Sequence, residues 1–245
     1  MFYSFMCYFI IFAFLGWCTE VAFAAYKHGK FVNRGFLDGP VCPIYGFGVA
    51  FIYLIVSFLP QKDWIIVAAS FLLPTLLELV TGFVMEKVFN HKWWDYSGER
   101  WNLSGYICLK FSIIWGLACV ALVKIIFPLT DKLISVLPYN IFYIVAWALC
   151  IFVMLDTVGS VFAIIGINKK LRILDSIDEK LHEGSDKIGK KVYEGTVDII
   201  ELKNKVLSKT NFFHKHIVKA FPNMKSKKYK SLEEFKEYVS SKKKK

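Results

Sequence analysis

Three carboxylates, Glu20, Glu78 and Asp156, stand inside apolar stretches, and Lys110 stands near the start of another. An ionisable side chain in hydrocarbon costs about 3 kcal/mol and is a functional candidate by default. Two chemistries are open. A buried glutamate without a partner stays protonated near neutral pH and can carry a proton. A glutamate beside Arg34, Arg100 or Lys110 is instead neutralised and locks two segments together. Glu20 and Glu78 each precede a copy of one phrase, R-x-x-L-x-G-x-x-C, which runs from Arg34 to Cys42 and again from Arg100 to Cys108. Carboxylates of this kind hold a proton or a cation, and the arginines suit an anionic group. The candidate substrate-binding set is Glu20, Arg34, Tyr45, Glu78, Asp95, Arg100, Asn102 and Lys110. No catalytic set and no metal-ligand spacing is present, and no cofactor is expected.

The elements that must position these residues follow from hydropathy. Hydrophobic residues make up 56% of the 245 positions, against about 45–50% in soluble domains. They fall into runs that match the roughly 20 residues needed to cross a bilayer. The expected spans are about 3–26, 41–59, 64–88, 104–127 and 139–167. The fold class is all-α: a polytopic membrane bundle of five spans, arranged as two repeated helical hairpins plus one helix. Asp38 and Pro40 suit the head of the second span, and Ser104 that of the fourth, as helix-starting residues. Pro74 predicts either a kink or a broken helix in the third span.

Charge sets the expected orientation. The formal net charge is +11, and residues 168–245 hold 21 Lys/Arg against 11 Asp/Glu. Such a tail belongs in the cytoplasm, and five spans then place the N-terminus outside. Lys27, Lys30, Arg34, Lys87, Lys92 and Arg100 fall in the inner loops, and Lys62 and Lys132 in the outer ones. The tail reads as a cytoplasmic basic helical segment, partly disordered at its end. Leu171, Leu174, Ile177, Leu181, Ile188 and Val192 form its apolar stripe, which Val197, Ile200 and Leu202 extend. Ser231 to Glu234 fits a capping box. Polybasic segments of this kind bind anionic inner-leaflet lipid. No nucleic-acid motif is present. The six cysteines form no C-x-x-C and no cluster with histidine, so they read as small buried apolar residues.

Asn33-Arg34-Gly35-Phe36-Leu37, Gly39-Pro40, Pro43-Ile44-Tyr45-Gly46, Trp93-Trp94-Asp95-Tyr96-Ser97, Asn102-Leu103, Gly105, Cys108-Leu109 and Trp115-Gly116 together resemble the bacterial "putative ABC-transporter type IV" permease family. The resemblance covers roughly residues 10–130. It implies a multi-pass bacterial plasma-membrane protein and a transport role. The chain has no Walker A loop, so an ATPase would be a separate subunit. Five spans enclose little space, which favours a homo-oligomer or another assembly. Two alternatives stay open: a membrane-embedded enzyme acting on an anionic lipid, and a scaffold or regulator working through the basic tail. The absence of recognised catalytic motifs weighs against the enzyme without deciding it.

Overall fold

The computed structural model describes residues 2–60, 62–185 and 200–241. The chain is built from α1 (Phe2–His28), α2 (Pro43–Phe58), α3 (Asp63–Phe89), a minimal hairpin of β1 (Asn102–Leu103) and β2 (Ile107–Cys108), α4 (Leu109–Ala121), α5 (Phe127–Val136) and α6 (Tyr139–Ser185). Three shorter helices follow: α7 through residues 200–208, α8 (Phe212–Ala220) and α9 (Leu232–Ser241). A π-helical turn at Leu122–Ile126 joins α4 to α5. The resulting rod, Leu109–Val136, is 28 residues long. Pro128 falls in the first turn of α5, where its missing N–H is tolerated. The helix therefore continues past the point at which the fourth apolar run was expected to close. Pro74 likewise leaves α3 unbroken from Asp63 to Phe89.

Among the described residues, four helices are long and apolar enough to cross a membrane: Phe2–Tyr26, Asp63–Phe89, Leu109–Val136 and Tyr139–Glu179. The second expected span is shorter as a helix. α2 has 16 residues, or about 24 Å at 1.5 Å per residue. The preceding loop explains the difference. Residues 33–42 turn back into the bundle, and the Cys42 N–H donates to the Ala13 carbonyl at 2.8 Å. Ala13 lies fifteen residues before the end of α1, about 22 Å up the helix. The start of α2 is thus deep in the bundle. Its cap residue is Cys42 with Pro43 in the first turn, so Asp38 and Pro40 do not start the helix. In the same way α4 is preceded by Cys108, and Ser104 sits at φ 52° in the tight β1–β2 turn. Both copies of the repeated phrase end on the residue that caps the returning helix.

Small residues let these hairpins close. A Cβ on Gly46 would meet the Phe9 carbonyl and ring, and one on Gly116 would meet the Phe71 ring. α1 packs chiefly on α2, and α3 on α4. The bundle core includes Tyr8, Phe12, Leu37, Ile52 and Phe127. At the far end from the loops, Asp131 Oδ1 accepts from the Tyr8 and Tyr53 hydroxyls at 3.1 and 3.2 Å.

The tail is not a loose extension. α6 runs without a break through residue 168 to Ser185, and Leu171, Leu174 and Ile177 are buried. α7–α9 fold back onto it, and Leu207, Ile217, Met224 and Phe235 join Trp93, Ile167 and Leu171 in a second core. Ile200 and Leu202 are exposed. The side chain of Leu181, and Ile188, Val192 and Val197, lie outside the described residues. Ser231 precedes α9 as expected, but the capping box does not form. Its N–H donates to Asp175 Oδ1 at 2.8 Å, its hydroxyl donates to the Leu171 carbonyl, and Glu234 pairs with Lys203. Long-range docking onto α6 has taken the Ser231 N–H, and Lys203 has taken the Glu234 carboxylate that would have accepted from it.

Candidate functional site

The first hairpin sets its polar group around Asn33. Asn33 Oδ1 accepts from Trp17 Nε1 at 2.7 Å and from the Gly35 N–H at 3.1 Å, while its Nδ2 donates to the Asp38 carbonyl at 2.9 Å. This knot holds the backbone on both sides of Arg34. The guanidinium then lies near the Phe23 ring, with Nε 3.7 Å from Glu20 Oε2. The Tyr45 hydroxyl, from the first turn of α2, donates to Glu20 Oε1 at 2.8 Å. Gly16 faces the Tyr45 ring and leaves it room to reach the carboxylate.

The second hairpin answers with a different reach. Loop residues 90–108 climb along α3, and Trp94 and Tyr106 pack against Gly82. The Tyr96 hydroxyl donates to Glu78 Oε1 at 3.0 Å. Glu78 lies eleven residues before the end of α3, about 16 Å in. Burial pushes the Tyr96 phenol up from its usual range, and the Glu78 carboxylate adds to this. The two hairpins also meet across the bundle. The Tyr45 ring, 6.0 Å from the Trp115 ring of α4, joins them directly. Among the described residues of the two hairpins, Glu78 Oε2 and both Asp38 carboxylate oxygens are buried without a hydrogen bond, and Arg34 Nε has its 3.7 Å ion pair with Glu20 alone.

The remaining candidates are bonded elsewhere. Asp95 accepts from Lys225 Nζ at 2.8 Å and from Ser97, and lies 3.4 Å from Lys92 Nζ. Its hydrogen bonds to Lys225 and Ser97 hold the carboxyl well below the usual carboxylate range. Asn102 is a turn residue: Nδ2 donates to the Glu99 carbonyl at 2.8 Å and Oδ1 accepts from the Gly105 N–H at 3.1 Å. Lys110 pairs with Glu99 at 3.4 Å near the surface. Arg100 is exposed and, with Lys110 and Trp101, lines a shallow open depression. The structure therefore places Glu20 with Arg34 and Tyr45, sets Glu78 separately against Tyr96, and disperses Asp95, Arg100, Asn102 and Lys110.

Sequence reasoning left three residues out of the set. Tyr96 lies in the Trp-Trp-Asp-Tyr-Ser motif, and that motif was its signal. Asp156 is an ionisable residue in an apolar run. Its two oxygens accept from the Asp38 N–H at 3.3 Å and the Gly39 N–H at 2.8 Å, so it satisfies the backbone of the buried loop. His216 has no sequence signal. It comes from α8, with Nε2 3.0 Å from the Gly35 carbonyl and Nδ1 3.5 Å from Asp38 Oδ1. Non-helical backbone at this depth is tolerated only where it is enclosed and hydrogen-bonded, which Asn33, Asp156 and His216 achieve. Among the described residues no group of three or more His, Cys, Asp or Glu could hold a metal ion.

An all-helical chain with four helices of spanning length, and carboxylates held inside the bundle, is a multi-pass membrane protein. It belongs to the family described as "Putative ABC-transporter type IV", which matches it over residues 7–161. The matched segment contains both hairpins and ends just past Asp156. No curated protein and no solved structure matches the chain.

Proposed function

We propose that this protein is the permease-like component of a bacterial plasma-membrane transporter, with its polar site near the cytoplasmic leaflet. The supporting observation is the pair of glutamate–tyrosine contacts, Tyr45 of α2 on Glu20 and Tyr96 of loop 90–108 on Glu78, beside the unsatisfied Glu78 Oε2. An orphaned buried polar atom costs about 1–3 kcal/mol, and a substrate or coupling ion is one means of recovering it. In this reading the carboxylates take a proton or cation and Arg34 takes an anionic group. Enclosed irregular backbone lining a cavity is how many transporters build such sites.

The second crossing is made by α2 together with loop 33–42, giving five crossings, with the N-terminus outside and the basic tail inside. The two hairpins are an internal repeat, each with a helix, a loop that turns back, and a cysteine-capped return helix. A separate ATPase subunit supplies the energy, and the complex holds more than one copy of this chain. Affinity purification of the full chain from its own membranes tests this. An ATPase in fixed ratio is expected, and an intact preparation without one overturns ABC-type coupling. In proteoliposomes of the complex, Glu78→Gln is expected to remove most turnover. Wild-type turnover in that variant overturns the site.

A scaffold or regulatory role is the second reading, favoured by the contacts of the tail with both loops. Lys225 reaches Asp95 in one loop, and His216 reaches Gly35 in the other. Truncation after Ser185 discriminates: transport that survives but loses its control favours regulation by the tail.

A further inference from the structure

α8 has two faces. His214, Ile217, Val218 and Ala220 are buried, chiefly against α6. The two aromatic residues that open the helix are not: Phe212 is 71% exposed and Phe213 is 38% exposed. Their height on α6 can be read from their neighbours. The Phe213 ring lies beside Gly159, nine residues before Asn168, where the polar run Asn168-Lys169-Lys170 begins. Nine residues of helix are about 14 Å. Between those points α6 presents an outward apolar surface, with Phe162 68% and Ile165 54% exposed.

Phe212 and Phe213 thus continue the apolar outer surface of α6. A basic rim accompanies them. Lys209 is exposed just before α8, its carbonyl accepting from Lys170 Nζ at 2.5 Å, and Lys219 is exposed on α8 itself. Aromatic residues on one side of a short amphipathic helix, with lysines around them, suit the boundary between headgroups and acyl chains.

We propose that Phe212 and Phe213 form a wedge inserted into the acyl-chain region of the inner leaflet, with Lys209 and Lys219 meeting anionic headgroups. The occupant of this surface is bilayer lipid, because the patch is continuous with the lipid-facing surface of α6 and carries the complementary charge. The wedge gives the tail a fixed height. It also ties lipid contact to the polar site, because His216, one turn along from Phe213, bonds the Gly35 carbonyl beside Arg34. This inference rests on the reading of the bundle as membrane-embedded and on the inward orientation of the tail.

A photo-crosslinking experiment tests it on the full chain in nanodiscs containing anionic and zwitterionic lipid. p-Benzoylphenylalanine replaces Phe212 in one variant, the outward-facing Leu155 of α6 in a second, and the exposed Asn223 of the α8–α9 connection in a third. Acyl-chain adducts are expected at 212 and 155, several-fold above those at 223. Adducts at 155 with none at 212 overturn the wedge and leave the membrane reading standing. Adducts at neither site overturn both. Crosslinks from 212 to a second copy of the chain overturn the wedge in favour of a protein contact. As a second readout, Phe212→Ser combined with Phe213→Ser is expected to raise hydrogen exchange in residues 29–42, and unchanged exchange there overturns the link to the site.

Discussion

The two hairpins use the same parts and leave them in different states. In the first, Glu20 is satisfied by Tyr45 and faces Arg34, and the loop is tied by Asn33, Asp156 and His216. In the second, Glu78 has Tyr96 on one oxygen and nothing on the other, and the arginine of the repeated phrase, Arg100, faces outward. The first carboxylate has a partner at each oxygen and the second at one alone. That difference came from the loops, since the glutamates occupy comparable helix positions.

The largest expected effect that sharpens this comparison is steric. At Gly46 an added Cβ meets a backbone carbonyl as well as a ring, whereas at Gly116 it meets only the Phe71 side chain. Gly46→Ala should cost about 3 kcal/mol, at the upper end for overpacking, and Gly116→Ala about 1 kcal/mol. Thermal unfolding in detergent measures both, and equal costs would break the contrast between a backbone-limited and a side-chain-limited hairpin.

The charge contrast comes next. Glu20→Gln leaves Arg34 without its counter-charge and should cost about 1–2 kcal/mol, since both side chains are partly exposed. Glu78→Gln should cost under about 1 kcal/mol, because Tyr96 can still donate to the amide oxygen. Turnover should rank the other way, with the greater loss at Glu78. A stability loss larger at Glu78 than at Glu20 would reverse the assignment of roles.

A smaller effect separates the tail's contacts by pH. Burial and the nearby Lys170 push His214 down to about 4, and burial also lowers His91. A histidine lowered in the folded state binds fewer protons there than when unfolded. Its stabilising contribution is complete above the unfolded value of about 6.5 and is lost as pH falls toward the folded value. Asp95 is lowered from the carboxylate range, so its contribution persists until pH falls below about 3.9. Protection factors of α8, which correct for the pH dependence of chemical exchange, should therefore fall between pH 7 and pH 4.5 while the Asp95–Lys225 contact persists. His214→Gln should flatten the α8 response, and a response that is unchanged would remove His214 as its source.

The helices were legible because a run of apolar residues is a local property, and so were the polar positions within them. Residue type and spacing marked Glu20 and Glu78 as ionisable positions within apolar runs, and both lie within helices, α1 and α3. Loop paths were not legible in this way. Tyr96 meets Glu78 because Gly82 admits Trp94 and Tyr106 beside α3. Ser231 gave up its capping box because Asp175 and Leu171 were closer partners in the folded chain. Arg100 matched Arg34 in the phrase, yet the phrase does not encode which way its side chain leaves the loop.

Composition and periodicity were enough for a predominantly helical chain, the apolar runs and the basic tail, since they act over neighbouring residues, whereas the residues that start the returning helices, Cys42 and Cys108 in place of Asp38, Pro40 and Ser104, followed from the loop paths. Tertiary structure alone decided that the loops fold back beside α1 and α3, that Asp156 and His216 secure the first of them, and that the tail packs against both. Those outcomes depend on hydrogen bonds between residues more than a hundred positions apart, such as Gly39 to Asp156 and His216 to Gly35. Buried backbone must find partners somewhere in the fold, and no local pattern records where those partners will be.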